Sequence, residues 1–473
     1  IISALFTNTL WNSSEALAKK EDSNIHKNGG LSMKLKTLLT TILVICTTAL
    51  ISQIIHIPAD QPTIQAGIDV ATNGDTILVA EGTYYENIRF LGKAITVASE
   101  FLMDGDESHI ENTIIDGSQA THPDTSAAVM FIDNEDTASL IAGFTITGGS
   151  GIHDFMYDVQ FGGGIAVMNA GAKIENNILT QNNLNDDWAA GGCGIGAIAY
   201  LGDTWLVVRN NTIVDNHATC ENLSAFGGGM NSTMNSIIEN NVIEYNTCEN
   251  ITGTQADGAG IEIEQLPGSL PIFADIGHNE VRYNTLTVGN VAIGAGIIIY
   301  GASVSIHDNN ISFNEVIANS YGNGAGIYVQ NNAGEIEIRN NDIRENKIIS
   351  EEWARGGGIA LWQPPNKVNI IGNTIEGNTI VGYDNRGSGI WIRYPGGNMN
   401  ITGNLIKDNT GPKTSINSAA GGGICIMDAS GEVRIDKNIF KGNEIYNGGG
   451  LYFRNSLSTV VTNNVFDGNK SLY

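Results

Sequence analysis

Basic residues are scarce in this chain: 24 Lys and Arg stand against 50 Asp and Glu in 473 residues, a net charge of −26. That balance repels polyanions, so it excludes nucleic acid as a partner. It equally disfavours unaided binding of anionic polysaccharide, for which Ca2+ would be the bridging cofactor. Cysteine is scarce too. Beyond Cys46 there are four, Cys193, Cys220, Cys248 and Cys425, and no C-x-x-C occurs, which argues against a thiolate metal centre; no metal ligands are assigned. Cys220 and Cys248 fall in neighbouring repeats two positions out of phase and stay open as a disulfide pair. Helical periodicity is absent from residue 162 onward.

What fills that region is a repeat. The motif G-x-G-φ, with φ a large apolar residue, begins at Gly162, Gly192, Gly227, Gly258, Gly294, Gly324, Gly356, Gly387, Gly421 and Gly448. Each is followed by N-x-φ-x-x-N, whose first asparagines run Asn177, Asn211, Asn241, Asn279, Asn309, Asn341, Asn373, Asn404, Asn438 and Asn464. A fixed pattern with variable filler means stacked units. Three apolar columns recur with strand-like alternation: the motif φ with its i+2 neighbour (Ile261/Ile263), a residue three before the first asparagine (Ile276), and one two after it (Val281). Three inward columns describe a coil of three strands. Stacked in register at about 4.8 Å, such coils give an all-β, right-handed parallel β-helix of about 12–14 rungs. The asparagines are expected at corners, tolerating left-handed backbone and forming an amide ladder.

The segments flanking the repeats have their own expectations. Thr63–Ala71, ended by Asn73-Gly74, reads as a short capping helix, and strands follow at 75–80, 86–90, 93–98, 113–116, 129–132 and 140–147. Residues 53–161 thus supply the cap and first coils, and 162–473 the ten repeats. MKLK at 33–36 and the apolar 37–52 have the layout of a signal peptide, which puts the protein outside the cell or on its surface. Residues 1–32 read as translated leader ahead of Met33. An uncapped last repeat suggests truncation at the C-terminal end.

PTIQAGIDVATNGDTILVAEGTYYENI, followed by TIIDG, resembles the opening of pectin-lyase-like β-helix proteins. The repeats resemble the right-handed β-helix region of secreted bacterial proteins. Their GGGI and φ-x-x-N motifs are also similar to the repeats of chlamydial polymorphic outer-membrane proteins. The first resemblance implies a glycan cleft along one strand face beside long loops. Enzyme signatures are missing, however: neither the Q-D-T-L and L-G-R-P-W segments of pectin methylesterases, nor the G-H-G and R-I-K of polygalacturonases, nor the D-P-H-D of alginate epimerases is present. Fold alone confers no activity.

The candidate site follows from strand alternation. Residues between and after the inward pair on the glycine strand point outward, presenting Glu262, Glu264, Tyr300, Tyr328, Trp362, Trp391 and Arg393. The loop before the motif adds Trp353. Aromatics one rung apart can stack on successive sugars, so Tyr300, Tyr328, Trp353, Trp362 and Trp391 are the expected substrate-binding residues. Their strand propensity is the competing explanation. Glu262 and Glu264 share a face, as paired glycosidase carboxyls must, and Arg393 is the candidate base of a lyase. Replacing Trp362 and Trp391 by Ala is expected to remove glycan binding with little change in stability. The reading is a monomeric, secreted or cell-surface protein that binds or processes polysaccharide, as lyase or glycoside hydrolase if an enzyme. The alternative is a non-enzymatic adhesin or stalk.

Overall fold

The computed structural model describes residues 52–120, 125–250, 252–330, 334–364, 367–413 and 419–472. The leader and nearly all of the signal segment, through residue 51, lie outside these residues. The chain divides into Ile1–Gln53 and Ile54–Tyr473, and every element below belongs to the second unit.

One coil shows the architecture. Ile261–Glu264 lies in sheet I, Phe273–Gly277 in sheet II, Glu280–Arg282 in sheet III, Thr285–Val288 in sheet IV and Val291–Ile293 in sheet V. Each strand pairs in parallel and in register with its equivalent one coil on, as in Ile261↔Ile297, Ile276↔Ile306 and Val281↔Ile311. Among the described residues, sheets I to V hold 12, 14, 13, 7 and 10 strands, so the protein is an all-β right-handed parallel β-helix. Helix Ile64–Val70 begins at the expected cap, where Thr63 Oγ1 accepts the Ala66 N–H at 3.1 Å, and it buries Ile64 and Ile68 against the first coil. The strands expected at 75–80, 86–90, 113–116 and 129–132 form within two residues of those limits, whereas 93–98 begins only at Thr96 and 140–147 is two strands, Leu140–Ala142 and Thr145–Thr147. Additional elements are two short helices, Phe101–Asp104 and Ser108–Asn112, and an antiparallel hairpin of Gly151–Asp154 with Val159–Phe161.

The three-strand coil needs a correction. Sheets I, II and III do enclose the main core, into which Ile261, Ile263, Ile276 and Val281 all point. Sheets IV and V, which read in sequence as variable loop, close a second, narrower compartment filled by one larger residue and small ones per coil, such as Leu286, Ala292 and Ala295. The glycine motif is built for the wall between the two compartments. Its first glycine turns the chain with positive φ (56° at Gly258). Its middle residue is small because it faces the second compartment (Ala259, Ala295, Ala325). Its last glycine lies so close to the next coil that a Cβ on Gly260 would sit 2.5 Å from the Gly296 carbonyl oxygen and 3.2 Å from Asn284 Nδ2.

The asparagines form two continuous ladders. In the second, Asn246 Nδ2 donates to Asn284 Oδ1 at 3.0 Å and to the Ile213 carbonyl at 2.9 Å, and its backbone N–H shares the same Oδ1 at 3.1 Å. The pattern repeats through Asn314, Asn346, Asn378, Asn409 and Asn443 to Asn469. The ladder expectation therefore holds, but the left-handed residue is not the ladder asparagine. It is the residue before it, such as Asn240, His278 and Asp308 on one corner and Tyr245, Tyr283 and Phe313 on the other. Those last three rings stack at 5.1 and 5.0 Å, so packing offsets an unfavourable backbone conformation. All four described cysteines are free and buried; Cys248 pairs in register with Ala218, not with Cys220, and no disulfide joins them.

Candidate functional site: the groove between sheets I and V

Sheets I and V meet at the first glycine of each motif, and their outward faces turn toward one another to form a corner along the helix axis. On sheet I the register column runs Glu262, Ile298, Tyr328, Ala360, Trp391. On sheet V it runs Asp257, Ile293, Asn323, Arg355, Arg386. Ile293, Ile298, Tyr328, Ala360 and Trp391 pack into one apolar cluster, with Tyr300 and Trp362 at its edge. Strand alternation is thus right about direction and wrong about exposure. Tyr328 and Trp391, expected as exposed sugar platforms, are 4 % and 1 % exposed because sheet V folds over them. Tyr300, Trp353 and Trp362 remain partly accessible. Trp362 stacks on Trp391 at 5.7 Å, and Trp353 sits edge-on to Tyr321 at 4.4 Å.

One end of the corner is acidic. Asp257 accepts from Gln255 Nε2 at 2.7 Å and from the Tyr300 hydroxyl at 3.2 Å. Burial pushes its pKa up to about 7, helped by the nearby Glu264 charge and opposed by those hydrogen bonds. Glu262 is buried, and its carboxyl is held well above the usual range by desolvation first and then by Asp257 and Glu264. Its Oε2 has no hydrogen-bond partner among the described residues. Burial also raises the more accessible Glu264. In register with Glu262 on the preceding coil lies Asn231, buried, with Nδ2 likewise unpartnered. Asp257 was legible only as the residue opening a glycine motif; its place beside two glutamates depends on sheet V existing at all.

The other end is basic. Arg355, Arg386, Arg393 and Arg454 line a pocket of about 170 Å³ together with Trp353, Trp391 and Asp384. Arg393 Nε lies 3.2 Å from Asp428 Oδ2, and its guanidinium packs 4.6 Å from the Tyr394 ring centre. The register column Glu264, Tyr300, Gln330, Trp362, Arg393 puts four steps between the glutamate and the arginine, about 19 Å at 4.8 Å per rung. Glu262, Glu264 and Arg393 therefore do not form one catalytic cluster. The structure brings the two glutamates together with Asp257 and sends Arg393 to a separate site with three arginines that the sequence reading did not choose.

A group with metal-ligand chemistry lies elsewhere, where sheets II and III meet. Ligand atoms of His278, His307 and Asp308 fall within 4.8 Å of one another. His307 already contacts Asp275 at 3.0 Å and Asp308 at 2.9 Å, and Arg339 reaches Asp308 at 3.2 Å. Two imidazoles beside a guanidinium do not suit Ca2+, which prefers a shell of oxygen donors.

By its geometry the chain is a parallel β-helix protein, and its final coils match a family model accordingly: residues 368–472 match the family described as the right handed beta helix region. No curated protein matches the sequence. Among solved structures, the A-module of a mannuronan C-5 epimerase from Azotobacter vinelandii is similar at 14% identity and a TM-score of 0.32, over 85% of this chain and 94% of that one. No helix among the described residues is long and apolar enough to cross a membrane.

Proposed function

We propose that the protein binds a polysaccharide chain along the groove between sheets I and V, outside the cell or at its surface, and cleaves it at the acidic end. The observation carrying this reading is the coil that places Asp257, Glu262 and Glu264 together, with carboxyl pKa values raised by burial, beside partly accessible Tyr300. Glycoside hydrolysis needs one carboxyl that keeps its proton and one that gives it up. Glu262, the more strongly desolvated, holds a proton for the leaving-group oxygen. Glu264, the most accessible, serves as base or nucleophile, and Asp257, tied to Gln255 and Tyr300, sets the charge around both. Hydrolysis is favoured over elimination because the arginines lie several rungs away. There Arg393, Trp353 and Trp362 bind substrate.

The test is incubation of residues 53–473 with a polysaccharide panel, with and without Ca2+, counting new reducing ends. Cleavage of one glycan, reduced roughly 100-fold or more in Glu262→Gln and Glu264→Gln, is the expected result. Undiminished cleavage in both variants, or no product from any glycan, would sink it. The second reading, a rigid adhesin or stalk, is favoured by the two asparagine ladders running unbroken through ten coils. Binding of a glycan without cleavage would select it.

A further inference from the structure

In a chain of net charge −26, the basic end of the groove gathers positive charge that its own carboxylates do not match. Arg355 and Arg386 are neighbours in register on sheet V. Arg393 and Arg454 stand on sheet I with Met427 in register between them. Against these four guanidiniums the immediate carboxylates are Asp384, which holds Arg386 at 2.8 Å, and Asp428, which holds Arg393 and Arg454 at 3.2 and 3.4 Å. Among the described residues, Arg355 has no such partner. It is 8 % exposed, its Nε has no hydrogen-bond partner, and its guanidinium rests between the rings of Trp353 at 4.3 Å and Trp391 at 5.2 Å. The indole N–H of Trp391 and Arg454 Nε, both buried, are likewise unpartnered among the described residues. A buried, unpaired guanidinium is costly, and an unsatisfied group of this kind calls for an explanation. Desolvation, with repulsion from Arg393 and Arg386, depresses the Arg355 pKa to about 10 despite the favourable charge of Asp384.

We infer that this pocket binds a tetrahedral oxyanion, a sulfate or phosphate group carried as an ester on the glycan that occupies the groove. The donors reach the pocket from two sheets set at an angle. A planar carboxylate engages one guanidinium fork, whereas a tetrahedral group offers oxygens to donors on both walls. The volume of about 170 Å³ admits such a group. The arginines would offer an anionic glycan local positive charge that the overall balance withholds. The inference rests on the groove reading only for what carries the anion; occupation of the pocket is measurable by itself.

The experiment titrates inorganic sulfate and phosphate into the protein at constant ionic strength, following tryptophan fluorescence and thermal midpoint, with acetate and chloride as controls. A saturable response to sulfate or phosphate is expected, weakened roughly tenfold or more in Arg355→Met. Met is chosen because it fills the space without a buried charge, so the variant should fold at least as well in anion-free buffer. Absence of saturation, an equal response to acetate, or an unchanged response in Arg355→Met would each overturn the proposal. A second arm compares a sulfated polysaccharide with its desulfated form. Tighter binding of the sulfated chain supports the ester as source. Equal binding of both, with inorganic sulfate still saturating, overturns the ester and leaves a free-anion site. No glycan binding at all, with sulfate saturating, defeats the groove reading while the pocket stands.

Discussion

The interior ladders and the groove both bury polar side chains, and they treat them in opposite ways. Asn284 sits fully buried with its amide engaged on every side: two donors from Asn246 on its oxygen, and its own nitrogen on Ile243 O and Asn314 Oδ1. Glu262, Asn231, Arg355 and Trp391 are about as buried, yet each leaves a polar atom without a partner. The ladders spend their hydrogen bonds on holding coils in register. The groove keeps its own in reserve, at a cost in stability that a ligand would relieve.

Three substitutions sharpen that contrast. Trp391→Ala is expected to cost about 3–5 kcal/mol, because it empties a buried ring from the cluster under the groove. Urea unfolding measures it, and a loss below about 1 kcal/mol would show that the ring is a surface platform after all. Asn284→Ala should cost about 2–3 kcal/mol by stranding both Asn246 donors and the Ile243 carbonyl. A neutral result would mean that water replaces the rung. The third effect is spread over pH. The folded pKa of Asp257, about 7, lies above the ordinary 3.8, and that of Glu262 is raised too, so the folded protein keeps protons that the unfolded chain releases. Their contribution is complete below the unfolded values and lost as pH rises through the folded ones. Stability should therefore fall between roughly pH 4 and pH 7, by up to about 1.4 kcal/mol per pH unit for each group. Glu262→Gln should flatten the slope in urea midpoints measured across that range; an unaltered slope would remove Glu262 from the argument.

The main core was legible because its residues are large, apolar and periodic: Ile261, Ile276 and Val281 announce three strands. Sheet V was not, because it turns small residues such as Ala225, Ala256, Ala292 and Ala354 into its compartment, and alanine carries no strand signal. Sheet IV does carry a column of large residues (Leu286, Val316, Ile348 and Ile380), two positions after the second ladder asparagine, which the three-strand reading assigns to loop. Everything misjudged about the site follows from that omission. Without sheet V, Trp391 reads as exposed, and the places of Asp257 and Arg355 on the groove wall do not show. The clue available was alignment at a fixed offset before each glycine motif, which writes out Asp257, Ile293, Asn323, Arg355 and Arg386 as a single column. The corner conformations were misplaced by one residue for a related reason: asparagine's local preference for left-handed backbone pointed to the ladder, while its side chain was already committed there.

The last glycine of each motif, held against its equivalent in the next coil and the ladder asparagine of its own, makes every rung present the same face to its neighbour. Length is then a free variable in such a molecule. Removing the 30 residues from Gly294 to Asn323 would rejoin matching surfaces and keep the carboxyls and the arginines at the two ends of the groove, at the cost of Tyr300. It would shorten the span from Asp257 to Arg355 from three rungs, about 14 Å, to two. On the proposed reading, the groove would be a ruler graduated in coils, with the number of repeats between its acidic and basic ends setting the length of chain it spans.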